Sequence, residues 1–126
     1  MTGAAKPPTR RVLIVEDEMI VSMLLEDFLT DLGCEPVGPA ARLDDALTMA
    51  RNEAIDAALL DLNLNGKETH PVADILMERG IPFAFATGYG PGGIPERYRD
   101  GPVLPKPFRR ADLERVLARL MGPPRR

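Results

Sequence analysis

Short apolar runs alternate with segments of helical periodicity along this chain, and that alternation limits the possible folds more than any other feature. The three strongest runs lie at residues 12–15, 57–62 and 81–87. Strands with little polar alternation are typical of a sheet that is covered on both faces. Strands and helices that alternate in sequence therefore predict an α/β fold, with a doubly wound parallel sheet and helices on both faces.

Two weaker strands complete a predicted sheet of five strands. Residues 34–38 form one candidate, in which Pro36 lowers the strand propensity, and residues 102–105 form the other. Proline is tolerated in a strand mainly at the edge of a sheet.

Four segments have the 3–4 residue spacing of amphipathic helices. They lie at residues 19–32, 43–51, 71–79 and 109–120. The core-facing side of the first helix is predicted to carry Ile20, Met23, Leu24, Phe28 and Leu32. The methionines of the chain are likewise expected at helical core positions.

A further helix is expected before the last strand, but the sequence there disfavours it. Residues 88–101 contain five glycines and two prolines. Glycine costs about 1 kcal/mol in a helix interior, and a residue that precedes proline avoids helical angles. We therefore expect this fourth helix to be short or disordered.

Composition limits the class of protein. A chain of 126 residues suits one domain, which we place at residues 10–121, between flexible tails at 1–9 and 122–126. The net charge of −3 argues against a DNA-binding protein, and no apolar run is long enough to span a membrane. The single cysteine, Cys34, allows no internal disulfide, which favours a cytoplasmic location and a small apolar role for this residue.

Polar residues follow the predicted strands where each strand ends. They are Glu16 and Asp17 after the first, Asp61 at the third, Thr87 at the fourth and Lys106 after the fifth. Because parallel strands end at one edge of a sheet, these side chains are expected to line one cleft. Each residue also has a simpler interpretation when it is taken singly. Glu16 and Asp17 could cap the first helix, Thr87 could be an ordinary strand residue, and Lys106 could be a surface lysine.

Three carboxylates in one cleft repel each other, by about 4 kcal/mol for two unit charges ~4 Å apart at an effective dielectric of ~20. A bound cation or a raised pKa relieves that repulsion. Oxygen ligands favour Mg²⁺, for which Mn²⁺ is an expected substitute. A cleft that holds Mg²⁺, a lysine and a hydroxyl can bind a phosphoryl group, and Asp61 is then the central candidate for the nucleophile.

These residues resemble those of the receiver domain of bacterial two-component response regulators. The resemblance covers residues 10–121 and rests on four motifs in order: "VLIVEDE", "ALLDLNL", "FATG" and "LPKPF". It implies a flavodoxin-like receiver fold and a signalling domain, which catalyses only its own phosphorylation and dephosphorylation. It also implies that a histidine kinase or a phosphotransfer protein phosphorylates Asp61.

The resemblance assigns roles to the other site residues. Glu16, Asp17, Asp61 and the backbone carbonyl of Asn63 would hold the metal ion. Thr87, Gly88 and Lys106 would bind the phosphoryl group, and Gly88 would leave its approach open. The Lys106–Pro107 peptide bond would be cis.

Two motifs, "PFAFATGY" and "DLNLNG", resemble the FAT GUY subgroup, which is known for stand-alone receivers. Many receivers carry proline where this chain has Asn65, and an aromatic switch residue where it has Val103. We therefore take Tyr89, two residues after Thr87, as the candidate for a substitute switch residue; an ordinary loop tyrosine is the alternative.

The predicted output is contact with an unknown downstream protein, because we find no further domain in the chain; the alternative is a phosphate sink or relay. A magnesium-dependent phosphatase with an aspartyl nucleophile and a degenerate receiver that serves only as a scaffold are the competing classes. His70 has no cysteine or histidine at ligand spacing, so it is not expected to bind a metal.

Overall fold

The computed structural model describes residues 9–88 and 90–122 of the chain. The predicted tails, residues 1–9 and 122–126, therefore lie almost wholly outside the described residues. The strands are β1 (Arg11–Val15), β2 (Glu35–Ala40), β3 (Ala57–Asp61), β4 (Asn63–Leu64), β5 (Lys67–Glu68), β6 (Phe83–Thr87) and β7 (Val103–Pro105). The α-helices are α1 (Met19–Asp31), α2 (Leu43–Asn52), α3 (His70–Glu78) and α4 (Arg110–Met121).

Five of these strands form one parallel sheet in the order β2-β1-β3-β6-β7. Every pairing in that sheet is parallel. The predicted doubly wound α/β fold is thus confirmed. Strand β2 lies at the edge of the sheet, which is where a strand tolerates a proline such as Pro36. The small β4–β5 hairpin was not predicted.

Apolar side chains fill both faces of the sheet. On one face, α1 and α4 cover alternate strand residues such as Val12 and Ile14. On the other face, α2 and α3 cover residues such as Leu13 and Leu60. Each fully buried leucine or isoleucine contributes about 1.5–3 kcal/mol to folding, so both layers stabilise the sheet.

The predicted core face of α1 is wrong at Ile20, Met23 and Leu24, which are 82%, 55% and 39% exposed. Phe28 and Leu32 are partly buried and pack against the core beneath α1 and α4, as predicted. The buried residues of α1 are Ser22, Leu25 and Leu29. Leucine, isoleucine and methionine occupy nearly every side of the first turns of α1, so their spacing does not define one apolar stripe. The expectation for the methionines also fails at Met19, Met23 and Met77, which are exposed.

The segment between β6 and β7 contains no α-helix in its described residues. It has two short 3₁₀-helices instead, Gly90–Gly93 and Glu96–Tyr98. This agrees with the expected loss of a regular fourth helix. None of the helices in the two described ranges is long and apolar enough to cross a membrane.

Candidate phosphoryl-acceptor and metal site

The strand ends bring the predicted polar residues together. Glu16 and Asp17 follow β1, Asp61 ends β3, Thr87 ends β6, and Lys106 follows β7. The ammonium group of Lys106 lies 2.9 Å from Oε1 of Glu16 and 3.4 Å from Oδ2 of Asp61. Lys106 therefore contacts two of the three acids, although it lies 90 positions after Glu16 in the sequence.

The three acids form a compact group. One carboxylate oxygen from each of Glu16, Asp17 and Asp61 lies within 4.8 Å of the other two. They differ in exposure, since the side chain of Glu16 is 1% exposed and that of Asp61 is 17% exposed. Asp61 is thus the acid that combines contact with Lys106 and access from solvent.

Burial dominates the electrostatics of Glu16. It raises the pKa of this carboxyl group, while hydrogen bonds from the Lys106 ammonium and from the backbone N–H of Glu18 oppose the rise. Burial also disfavours the charged form of Lys106, but the carboxylates of Glu16 and Asp61 outweigh it and raise the pKa of the ammonium group above its usual value. The lysine is therefore kept charged.

The donor set fits a small divalent cation. Three carboxylates and one ammonium sum to a charge of −2 when all are ionised, which a divalent ion neutralises. Two oxygens on one Mg²⁺ are at most about 4.2 Å apart, given Mg–O distances of ~2.1 Å. A set spread over as much as 4.8 Å needs only a small contraction, or one bridging water, to bind such an ion.

The other predicted residues that the structure describes lie around these acids. Thr87 is buried, and its carbonyl accepts a hydrogen bond from the Lys106 N–H. Asn63 is exposed, and its N–H lies 3.4 Å from Oδ1 of Asp61. The Lys106–Pro107 peptide bond has the cis form that the resemblance implies. Tyr89, the candidate switch residue, lies outside the described residues.

Gly88 is exposed at the end of β6. A Cβ added there would meet only the Lys106 carbonyl oxygen, at an ordinary 3.5 Å. The described residues around Gly88, apart from its chain neighbours, therefore leave room for a side chain at this position.

Sequence reasoning missed two residues that position the acids. Thr69 is fully buried, and its hydroxyl donates a hydrogen bond to the Asp61 carbonyl. The backbone N–H of Asn65 donates to Oδ2 of Asp17 at 2.9 Å. The Asn65-Gly66 dipeptide is the sequence signal that could have found the second contact, because it favours a two-residue hairpin turn.

His70 and Cys34 lie outside the cleft. Nδ1 of His70 lies 3.1 Å from a Glu68 carboxylate oxygen, and the His70 ring packs near Phe85 and Tyr98. Within residues 9–88 and 90–122, the one group of potential metal ligands is the acid trio. Cys34 is a partly buried thiol that packs against the α1/α4 core.

Comparisons with known proteins agree with this geometry. A family model described as the response regulator receiver domain matches residues 12–118. The transcriptional regulatory protein PdtaR of Mycobacterium tuberculosis is 32% identical in an alignment of 116 residues, and the match covers 89% of this chain. The chain spans only 57% of the length of that protein.

Two solved structures give the same result. The solution structure of SdrG from Sphingomonas melonis Fr1 is 45% identical, with a TM-score of 0.81, and the match covers 89% of this chain and 96% of that one. The receiver domain of the sensor histidine kinase PA1611 from Pseudomonas aeruginosa is 26% identical, with a TM-score of 0.77, and the match covers 91% of this chain and 99% of that one. A magnesium ion is coordinated in the active-site cleft of the PA1611 domain.

Proposed function

The chain belongs to the response regulator receiver domain family, and we therefore propose that it accepts a phosphoryl group on Asp61. The donor would be a phosphohistidine of a histidine kinase or of a phosphotransfer protein. Receiver domains are signalling domains rather than classical enzymes, so the chemistry would be limited to the domain's own phosphorylation and dephosphorylation. The contact of Asp61 with Lys106, beside Glu16 and Asp17, is the observation that carries this proposal.

The transfer needs one nucleophile and a means of compensating charge. An Asp61 carboxylate oxygen attacks the phosphorus in line, the P–N bond breaks, and its electron pair returns to the histidine nitrogen of the donor. Lys106, already 3.4 Å from Asp61, would then contact the phosphoryl oxygens together with the Thr87 hydroxyl. Water later attacks the phosphorus and releases phosphate from Asp61.

Glu16, Asp17, Asp61 and the Asn63 carbonyl would hold Mg²⁺ or Mn²⁺. When bound, the ion would offset the negative charge that accumulates where phosphate and acids meet. Gly88 would leave room for the incoming group. These roles follow the family motif residue by residue, and the fit of the acid trio to a divalent ion supports them.

Acetyl phosphate provides the direct test of the acceptor. Incubation with Mg²⁺ should add one phosphoryl group to the wild type, and peptide mass analysis should place it on Asp61. Asp61→Asn should remain unlabelled, as should the wild type in excess chelator. Undiminished labelling of Asp61→Asn would contradict the proposal, and steady turnover of a small phosphate ester would instead favour the phosphatase class.

An exposed apolar surface supports a docking site for the phosphodonor. Met19, Ile20, Met23 and Leu24, here called the apolar α1 patch, are 74%, 82%, 55% and 39% exposed. The patch begins two residues after Asp17, in the first turn of α1. Contiguous exposed apolar side chains of this kind are typical of protein interaction sites.

A matched pair of variants tests this docking site. Met23→Ser should slow transfer from the cognate kinase at least several-fold and leave labelling by acetyl phosphate unchanged. Met77→Ser removes the same type of side chain, 52% exposed against 55% for Met23, from α3 and should affect neither reaction. Equal rates of transfer from the kinase to Met23→Ser and Met77→Ser would exclude the apolar α1 patch as the docking site.

The signal would leave through the face formed by residues 90–101, β7 and α4. A groove of about 690 Å³ lies there, lined by residues that include Met77, Phe83, Arg97, Tyr98, Arg119 and Leu120. A downstream protein could bind this groove after phosphorylation, whereas a phosphate sink or relay would need no such partner. Tyr89 is the candidate switch residue of this domain, which resembles the FAT GUY subgroup. If Tyr89 has that role, Tyr89→Ala should weaken the binding of the downstream protein to the phosphorylated form and leave its binding to the unphosphorylated form unchanged.

A further inference from the structure

The β4–β5 hairpin reverses the chain at a two-residue turn beside the acids. Asn65 has a φ of 50° and Gly66 has a φ of 88°. Two successive positive φ values are characteristic of a type I′ turn, for which Asn-Gly is the preferred sequence. Asn65 is the one residue other than glycine with a positive φ in the described part of the chain. The turn is therefore specified locally by its two residues.

The core and a buried hydroxyl hold this hairpin in place. Leu64 of β4 is 1% exposed and belongs to the α2/α3 core. Thr69, immediately after β5, is fully buried; its hydroxyl donates to the Asp61 carbonyl and its N–H donates to the Leu62 carbonyl at 3.1 Å. Within the turn, the Gly66 N–H donates to Oδ1 of Asn63 at 2.7 Å. The position of the turn relative to Asp61 is thus fixed from both ends.

The turn also contacts the acid on the neighbouring strand. The Asn65 N–H donates to Oδ2 of Asp17 at 2.9 Å, across 48 residues of sequence. A hydrogen bond from a neutral N–H to a carboxylate is stronger than one between neutral groups. It restricts the rotation of the Asp17 side chain and leaves Oδ1 available for another ligand. Proline at position 65 would have no N–H to donate.

We propose that the Asn65–Gly66 turn is a positioning element that orients the Asp17 carboxylate for the divalent cation. This inference depends on the metal site of the proposed function. The other two acids of the site have their own partners. The Glu16 carboxylate accepts hydrogen bonds from Lys106 and from the Glu18 N–H, and the Asp61 carboxylate lies beside Lys106. The backbone of the hairpin performs the same task for Asp17. Groups that orient a metal ligand typically affect metal affinity about 10–100-fold.

Magnesium titration of three variants at position 65 tests the proposal. Asn65→Gly keeps the N–H and tolerates a positive φ, so its Mg²⁺ dissociation constant by calorimetry should stay within about twofold of wild type. Asn65→Val keeps the N–H but disfavours the turn, and Asn65→Pro lacks the donor; both should bind Mg²⁺ roughly tenfold more weakly. Circular dichroism should verify that each variant is folded under the same conditions.

Hydrogen exchange of the Asn65 amide provides a second readout that does not depend on those variants or on metal. In the metal-free wild type this amide should be protected, and Asp17→Ala should remove at least tenfold of the protection. Exchange that is equal in the two proteins would overturn the inference, as would wild-type Mg²⁺ affinity in both Asn65→Val and Asn65→Pro. If the wild type itself failed to bind Mg²⁺, the metal site and this inference would both fall.

Discussion

Lys106 and Glu16 behave as one unit at the scale of single residues. The Glu16 side chain is almost completely buried, and the Lys106 ammonium is its charged hydrogen-bond donor at 2.9 Å. Burial raises the pKa of the Glu16 carboxyl group because it penalises the ionised form. The loss of the lysine alone would leave a buried carboxyl group without its cation.

We expect Lys106→Met to lower the free energy of unfolding by about 2 kcal/mol, because one partner of a largely buried pair remains without compensation. The double variant Glu16→Gln, Lys106→Met removes both charges and should lose less than the single variant. Urea denaturation of the metal-free proteins at neutral pH measures both values. A double variant that loses as much stability as Lys106→Met, or more, would contradict the expected penalty of a buried Glu16 carboxyl group without its cation.

At the scale of elements, α1 is defined by contact with the sheet rather than by its own pattern. Leu24 and Leu25 are adjacent and chemically identical, but Leu24 is 39% exposed and Leu25 is 2% exposed. Leu25 packs with Leu29 in the α1/α4 core. The predicted core face included Leu24 and omitted Leu25, whereas the structure buries Leu25 and exposes part of Leu24.

Leu25→Ala should therefore lower the free energy of unfolding by about 2–5 kcal/mol, the usual cost of a cavity in a packed core. Leu24→Ala should cost less than about 1 kcal/mol, since most of what it removes already faces solvent or the core edge. Chemical denaturation of wild type and of the two variants measures both changes in the free energy of unfolding. A larger loss for Leu24→Ala would restore the face predicted from sequence.

The elements differ in how well their sequences specify them. Strands β1 and β3 were predictable because they are apolar on both faces, and the polar residues at or directly after their ends located the cleft. The α1 face was not predictable, because apolar residues surround the first turns of that helix. The β4–β5 hairpin has only two residues in each strand, too few for a periodic pattern, so its one sequence signal is the Asn65-Gly66 turn.

At the scale of the whole molecule, Tyr98 attaches the segment that replaces a helix to the rest of the fold. Its ring packs among Phe83, Phe85 and His70. Its hydroxyl donates a hydrogen bond to an Asp74 carboxylate oxygen, and the His70 carbonyl oxygen lies 3.3 Å from the same hydroxyl. Burial raises the pKa of the Tyr98 hydroxyl above its ordinary value of 10.0, and the bond to Asp74 adds to the rise. The neutral phenol is thus the form that the fold favours.

This shift predicts a specific loss of stability in alkali. Above pH 10 the unfolded chain loses the Tyr98 proton before the folded chain does, so the free energy of unfolding falls as pH rises. Tyr98→Phe should be less stable than wild type at pH 7 by about 1 kcal/mol, and the difference should shrink between pH 10 and 11. Urea denaturation at several pH values tests this, and a constant difference would contradict it.

The same contacts connect the proposed phosphoryl site to the groove that Tyr98 lines. Phe85 precedes Thr87 by two residues in β6, so both side chains point to one face of the sheet, and Phe85 packs edge-on against Tyr98 with ring centroids 5.5 Å apart. A movement of Thr87 towards a phosphoryl group on Asp61 would therefore reach the 90–101 segment through one intervening side chain.

We expect beryllofluoride with Mg²⁺, a mimic of the aspartyl phosphate, to slow amide exchange in residues 90–101. Asp61→Asn under the same conditions controls for effects of the reagents and should show no change. Protection that is the same with and without the mimic in the wild type would mean that this segment does not respond to Asp61.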